Sequence, residues 1–294
     1  MKKIIVYSLS SIILIATSCA NLEHINTYAT VSTKALESES AIGYSYTQHC
    51  QDFVCVSDIY AVPANGHIQD TSACDCEPYK LADKALNTLN SVLSAYLTGL
   101  GKLSDKKTVD YNYDNLVKAI DVDKIKTVIP VTKDQITSLG KIAATITNNL
   151  MDGYRKKKLG EIIKDTNPDF QIVLDTYIAL MENQFTQTLI LTDKDELAVR
   201  YNRFIITNDD KGQMPSYIKT QIYQDYLAQA GKFKAYKNLT GKFIAALKEI
   251  KAGHAKLATE VDHLTEDGLK TAINGYSADL YAIIQEFNKI KNAK

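Results

Sequence analysis

Two long stretches of this chain repeat apolar residues at alternating spacings of four and three, and this repeat constrains the fold more than any other feature. The first stretch is Ala82, Leu86, Leu89, Leu93, Tyr96, Leu100 and Leu103, and the second is Leu269, Ile273, Tyr276, Leu280, Ile283, Phe287 and Ile290. On an α-helix these spacings place every apolar side chain on one face, which has to be buried against other helices. The two stretches therefore predict long helices that pack in a bundle.

Helix start signals predict further helices between these two stretches. Thr132 and Gln135 form a capping box, Asn167 before Pro168 is a cap followed by a proline, and Pro215 precedes another apolar stripe. The expected helices are 78–103, 113–121, about 132–158, about 167–207 with a candidate break at Thr192, and the region from 215 onward. The low counts of 13 Gly and 5 Pro argue against a turn-rich β-protein. We therefore predict an all-α fold, an elongated antiparallel bundle of long amphipathic helices with a disulfide-stapled N-terminal loop region.

The N-terminus has the pattern of an export signal. Lys2 and Lys3 precede a mostly apolar run, 4–16, which is too short to span a bilayer. The sequence Ala16-Thr17-Ser18-Cys19 then resembles the lipobox of bacterial lipoproteins. The resemblance implies cleavage before Cys19 and a lipid on that cysteine, which would attach the mature protein to a membrane. Ordinary secretory cleavage is the alternative.

The cysteine count agrees with lipidation. The chain has five cysteines: Cys19, Cys50, Cys55, Cys74 and Cys76. A lipid on Cys19 leaves four, which an oxidising compartment would pair as two disulfides in one of three connectivities. Because direct closure of a Cys-x-Cys pair makes a strained small ring, we favour cross-links between the first two of these cysteines and the last two. A zinc site, with His49 and His67 as further ligands, is the alternative, but Cys-x-Cys is tight for two ligands of one tetrahedral ion.

A second candidate metal site is Glu260, His263 and Glu266, three residues apart on a possible helix. Glu-x-x-His is a ligand pair of di-iron bundles, but those sites need two copies. Only one copy is present, and a helix start at 264–267 would separate its members. We expect a solvated helix junction here and no metal.

These patterns divide the chain into a signal peptide (1–18), a lipidated tether (19–42), a cysteine-containing loop region packed on the bundle (43–77) and a helical bundle (78–294). The net charge of zero, from 34 basic and 34 acidic residues, offers no field for nucleic acid. The 18 tyrosines suit either a contact surface or, for Tyr96, Tyr177 and Tyr276, core positions.

The expected function is that of a non-enzymatic scaffold, adaptor or protein-binding module without a cofactor. We expect it to be held by lipid in the bacterial cell envelope, at the outer membrane facing the periplasm or the cell surface, with another envelope protein as partner. The alternatives are a ligand- or metal-capturing lipoprotein and an envelope hydrolase.

Overall fold

The computed structural model describes residues 22–55, 74–105, 128–148, 155–209 and 212–293. Of these residues 89% are helical and none lies in a strand, which confirms the all-α prediction. The helices are α1 (Glu23–Glu37), α2 (Tyr46–His49), α3 (Glu77–Ser104), α4 (Lys133–Asn148), α5 (Arg155–Ala179), α6 (Thr192–Asn208), α7 (Ser216–Thr259) and α8 (Asp267–Asn292). Two π-helical segments, Cys50–Val54 and Leu180–Leu191, and two 3-10 turns, Ser38–Ala41 and Val261–His263, complete the described structure. The predicted helix 113–121 lies outside the described part, as does the middle of the cysteine-containing loop region.

Helix α1 corrects the predicted tether, because residues 23–37 form a helix at the centre of the bundle. One face of α1 is buried, and it consists of His24, Ile25, Tyr28, Ala29, Ser32, Ala35 and Leu36. The small residues on this face let α1 pack against α3, α7 and α8 at once. The segment 23–37 has few large apolar residues because Ser and Ala occupy several buried positions of α1.

Hydrogen bonds show that neighbouring helices run antiparallel. Asn26 near the start of α1 donates to the carbonyl of Gly101 near the end of α3 (2.8 Å), whereas Asn90 of α3 donates to the carbonyl of Leu36 at the end of α1 (3.1 Å). Likewise, Lys242 of α7 pairs with Glu286 of α8 across the hairpin that joins these helices. The bundle is elongated because α7 alone, with 44 residues, is about 66 Å long.

The predicted apolar stripes face the core, although Leu103 in α3 and Tyr276, Ile283 and Ile290 in α8 are only partly buried. In α3 the side chains from Ala82 to Leu100 that belong to the stripe are at most 3% exposed, and in α8 Leu269, Ile273, Leu280 and Phe287 are at most 2% exposed. The capping box before α4 is also present, since the Thr132 N–H donates to Gln135 Oε1 (2.8 Å) and the Gln135 N–H donates to Thr132 Oγ1 (3.3 Å). Local sequence signals therefore sufficed for these elements.

The predicted helix start at Asn167 is wrong. Helix α5 begins at Arg155 and contains Pro168 in its interior. Asn167 does not cap a helix, because its side-chain oxygen accepts hydrogen bonds from His254 Nδ1 (3.0 Å) and Gln171 Nε2 (3.1 Å). At Thr192 the helix does not break; instead the π-helical segment Leu180–Leu191 gives way to α6.

A polar network around His254 crosses the apolar core. The His254 ring is fully buried and stacks on Phe170, with ring centroids 4.1 Å apart. Its Nδ1–H donates to Asn167, as above, and its Nε2 accepts from the hydroxyl of Tyr96 (2.7 Å). Because burial disfavours the charged imidazolium, the pKa of His254 is lowered to about 3.

Gly253 permits the closest approach of two helices in this core. The Tyr28 hydroxyl of α1 donates to the carbonyl of Ile250 in α7 (2.5 Å). A Cβ at position 253 would lie 2.5 Å from a ring carbon of Tyr28, so only glycine leaves room for the ring. This contact fixes the level at which α1 sits along α7.

Candidate functional site: an exposed aromatic arm and its support

A helical hairpin projects from the bundle and exposes a concentration of large apolar side chains. We call it the aromatic arm and define it as residues 198–209 of α6 and its end together with residues 212–232 at the start of α7. Within these ranges only Arg200 is buried. The exposed large apolar residues of the described chain number nine, and six lie in the arm: Val199, Phe204, Ile206, Tyr217, Tyr223 and Leu227. Such a concentration is typical of an interaction surface, whereas single exposed apolar residues are ordinary.

Tyrosine rings fill the groove between the two helices of the arm. The ring centroid of Tyr226 lies 5.6 Å from that of Tyr201 and 6.3 Å from that of Tyr223. A cavity of about 110 Å³ lies beside these rings, bordered also by Ile205 and Ile222. Rigid aromatic side chains next to a small cavity are typical of the residues that contribute most to protein–protein binding.

The turn at the tip of the arm is fixed by Asp209. Its carboxylate pairs with Lys219 Nζ (2.5 Å) and accepts a hydrogen bond from the Met214 N–H (2.7 Å). These contacts lower the pKa of Asp209. Gly212 in the same turn has φ +73°, which glycine adopts without a steric penalty. Asp209 thus ties the end of α6 to residues at the start of α7.

Asp193 connects the base of the arm to the stapled N-terminal region. It lies in the first turn of α6 and is only 1% exposed. Its carboxylate accepts a hydrogen bond from the Tyr44 hydroxyl and pairs with His49 Nδ1 (2.8 Å). Burial and the contact with Asp193 raise the pKa of the Tyr44 hydroxyl. A buried carboxylate with two partners is well satisfied, so this cluster holds α6 against α2.

Arg200 provides a second connection about two helical turns further along α6. Its guanidinium donates to the carbonyls of Asp52 (2.6 Å) and Phe53 (3.1 Å) at the end of the Cys50–Val54 segment. It also lies over the Phe53 ring, 4.6 Å from the centroid, and its Nε donates to Glu196 (3.1 Å). The last carbonyls of a helical segment have no hydrogen-bond donor within the segment. The guanidinium of Arg200 provides the donors for these two carbonyls.

The cysteines complete this support. The disulfides are Cys50–Cys76 and Cys55–Cys74, with Cα atoms 5.8 and 5.5 Å apart, and they join the two cysteine groups as predicted. They fasten the Cys50–Val54 segment to the start of α3. Phe53 and Val54, which lie in the region predicted as a loop, are part of this helical segment.

Thiol counting checks this pairing. On the unfolded, unreduced mature protein we expect no reactive thiol among Cys50, Cys55, Cys74 and Cys76. Each disulfide closes a loop of roughly 20 residues and should stabilise the fold by about 3 kcal/mol. Four reactive thiols in the unreduced protein would contradict the pairing.

A cavity of about 320 Å³ lies where the arm, the stapled segment and α7 meet. Its walls include the rings of Tyr44, Phe53, Phe233 and Tyr236, with Arg200 beside them. Tyr44 stacks on Tyr236 at 5.1 Å and meets Phe233 edge-on at 5.6 Å. The volume and aromatic walls suit a small organic ligand.

The three residues predicted as a second candidate metal site do not come together. Glu260 follows the end of α7 and pairs with Lys256, His263 lies in the 3-10 turn, and Glu266 precedes α8. His263 Nδ1 lies 2.5 Å from Glu266 Oε1 in an exposed ion pair, which raises the pKa of the imidazole. A helix does start here, at Asp267, but His263 and Glu266 remain paired at its start and Glu260 is the residue set apart.

Sequence analysis did not identify the residues that support the arm. Tyr44 and Asp193 are 149 positions apart, and Arg200 is 148 positions from Asp52. No spacing rule connects residues so distant. The arm itself left a weak signal, since its tyrosines belong to the surplus noted above.

The described helices include none with the length and apolarity that crossing a bilayer requires. Cys19 and His67 lie outside the described residues.

The chain was compared with known protein families, curated proteins and solved structures, and none of the three comparisons gave a match.

Proposed function

We propose that this chain is a non-enzymatic protein-binding module of the bacterial cell envelope, anchored by a lipid on Cys19, whose binding surface is the aromatic arm. The observation that carries the proposal is the concentration of exposed Phe, Tyr, Ile and Leu side chains on one projecting hairpin. Exposing them to water is unfavourable by roughly 25 cal/mol per Å² of apolar surface, and a partner that covers them would recover that free energy.

The composition of the arm favours a protein partner. Half of its exposed residues are Tyr, Gln, Asn, Ser or Thr and few are charged, which resembles the adaptable polar and aromatic mixture of binding surfaces. The Asp209–Lys219 pair neutralises the tip. The exposed charges of the arm are Arg203, Lys232 and Asp225, and this small net charge gives little attraction for nucleic acid or for anionic lipid.

The positions of the chain start and the arm also favour this function. Tyr28, near the start of α1, contacts Ile250, whereas Tyr217 lies near the tip of the arm, 33 residues earlier on the same helix α7. At 1.5 Å per residue these two levels are about 50 Å apart. Cys19 precedes Leu22 by three residues, and a chain of that length spans at most about 11 Å. A lipid on Cys19 would hold the opposite end of the bundle at the membrane and direct the arm away from it.

The test compares two tyrosines with the same exposure. Tyr223 in the arm and Tyr281 in α8 are both 58% exposed. Protein crosslinked in native membranes should capture a partner, and Tyr223→Ala combined with Tyr217→Ala should weaken that capture by at least about 30-fold, the effect of losing 2 kcal/mol at a binding surface. Tyr281→Ala should leave it unchanged. Equal capture by the arm variant and the parent would refute the arm as the binding surface.

The anchor is tested separately. Cys19→Ser should release the protein from membranes, and intact-mass analysis of the native N-terminus should find a lipid on Cys19. An unmodified Cys19, or cleavage at another position, would refute the anchor while leaving the arm result intact.

The aromatic cavity at the base of the arm supports a second candidate, capture of a small organic ligand. Native mass spectrometry of protein purified from its own cells should then detect a bound small molecule that Phe233→Ala releases. Only the ligand-capture function predicts such a molecule.

A further inference from the structure

The four cysteine sulfurs of the stapled region form one compact cluster. All four Sγ atoms lie within 4.8 Å of one another. Between the two disulfides, Cys55 Sγ lies 3.3 Å from Cys76 Sγ and 3.6 Å from Cys50 Sγ. Two disulfides of one protein are not in general in contact with each other. Here they are, and their four sulfurs form a single group.

The spacing of these sulfurs is close to that of a tetrahedral tetrathiolate site. With zinc–sulfur bonds of about 2.3 Å, the sulfurs of such a site are about 3.8 Å apart. The two contacts of Cys55 are within about 0.5 Å of this value, and the other sulfurs lie within 4.8 Å of one another. After reduction each bonded pair would have to open to the same distance. The Cys74-x-Cys76 spacing, which argued against zinc in the sequence, is no obstacle because both sulfurs belong to the cluster.

The surroundings favour thiolates and a cation. Cys76 is the residue before α3, so its sulfur lies at the positive end of the dipole of a 28-residue helix, which stabilises a thiolate. A groove of about 360 Å³ exposes Cys55, Cys74 and Cys76 to solvent, so a reductant and an ion can reach them. Asp75, Glu77 and Lys80 also line the groove. Glu77 pairs with Lys80 (3.8 Å), so Asp75 leaves one net negative charge that attracts a cation.

We infer that the reduced protein binds one thiophilic divalent cation, of which Zn²⁺ is representative, through Cys50, Cys55, Cys74 and Cys76. A phosphine reductant converts each disulfide to two thiols, consumes one water and becomes a phosphine oxide. The cation then replaces the four thiol protons, which pass to solvent. The bound ion would hold the Cys50–Val54 segment against α3 in place of the disulfides, and so keep the support of the arm in the reduced state.

The experiment uses the full chain with Cys19→Ser, which removes the fifth thiol. The protein is reduced with a phosphine, separated from it without oxygen and titrated with Co²⁺. We expect thiolate-to-cobalt charge-transfer and tetrahedral d–d bands that saturate at one equivalent, and that one equivalent of Zn²⁺ removes. The unreduced protein should show no bands.

A second measurement needs no variant at the cluster, which keeps the test independent of misfolding. One equivalent of Zn²⁺ should protect all four cysteines of the reduced chain from alkylation at least tenfold, and this protection should disappear in urea. Protection of only two cysteines, protection that persists in urea, or saturation with cobalt at a stoichiometry other than one would overturn the inference.

Discussion

Leu93→Ala is expected to lower the free energy of unfolding by about 2–5 kcal/mol. Leu93 lies in the middle of the apolar stripe of α3 and is fully buried. Truncation removes three carbons from the core and leaves a cavity that neighbouring helices fill only in part. Leu280→Ala, at the centre of the α8 stripe and equally buried, should have a similar effect.

Lys84→Ala provides the control, because Lys84 belongs to α3 but faces solvent. Its stability should change by no more than about 0.5 kcal/mol. Urea unfolding followed by far-ultraviolet circular dichroism measures all three variants. A Leu93→Ala protein as stable as the parent would contradict the buried position of this stripe.

Acidification is expected to destabilise the parent protein more than the His254→Gln variant, by about 2 kcal/mol between pH 7 and pH 5. In the folded protein burial lowers the pKa of His254 to about 3, whereas in the unfolded chain the imidazole has its ordinary pKa of 6.5. Below pH 6.5 the unfolded state therefore binds a proton that the folded state does not. The stability from neutral His254 is fully present above this pH and is lost as the pH falls toward 3.

Comparison with the variant isolates this effect from other groups. The pKa of Glu39 is raised to about 7 by burial, so its contribution has the opposite sign and falls as the pH rises from 4.5 to 7. Burial also lowers the pKa of His24. Both groups are present in parent and variant and cancel in the difference. Gln can still accept from Tyr96 and donate to Asn167. Equal pH dependence of the two proteins, measured by urea unfolding at pH 5, 6 and 7, would show that His254 is not the group responsible.

The candidate site could be predicted from the sequence only in part. The cysteines were identified, and cross-links between their two groups were expected, because four cysteines so close in the chain can pair in few ways. The residues that support the arm were not identified from the sequence, because Asp193, His49 and Tyr44 meet only when α6 packs against α2. Nor could the sequence show that the arm is exposed, since its apolar residues are no less apolar than those of the core.

Helix α1 shows where periodicity stops being informative. Ile25, Tyr28, Ser32 and Leu36 have helical spacing, but Ser and Ala on the same face weaken the apolar contrast, so 19–42 was predicted as a tether. Gly253 in α7 makes room for Tyr28, and nothing local to either residue indicates the other.

By itself, the sequence determined the fold class, the stripes of α3 and α8 and the pairing of the cysteine groups. These depend on the 3.6-residue helical period, on capping and on short loop closure, all of which act between residues near in the chain. Only the tertiary structure decided that α1 is central, that His254 is buried and neutral, and that none of the described helices covers the aromatic arm. These three properties depend on which helices pack against each other. Packing between distant parts of the chain determines which side chains are buried, and no local pattern records it.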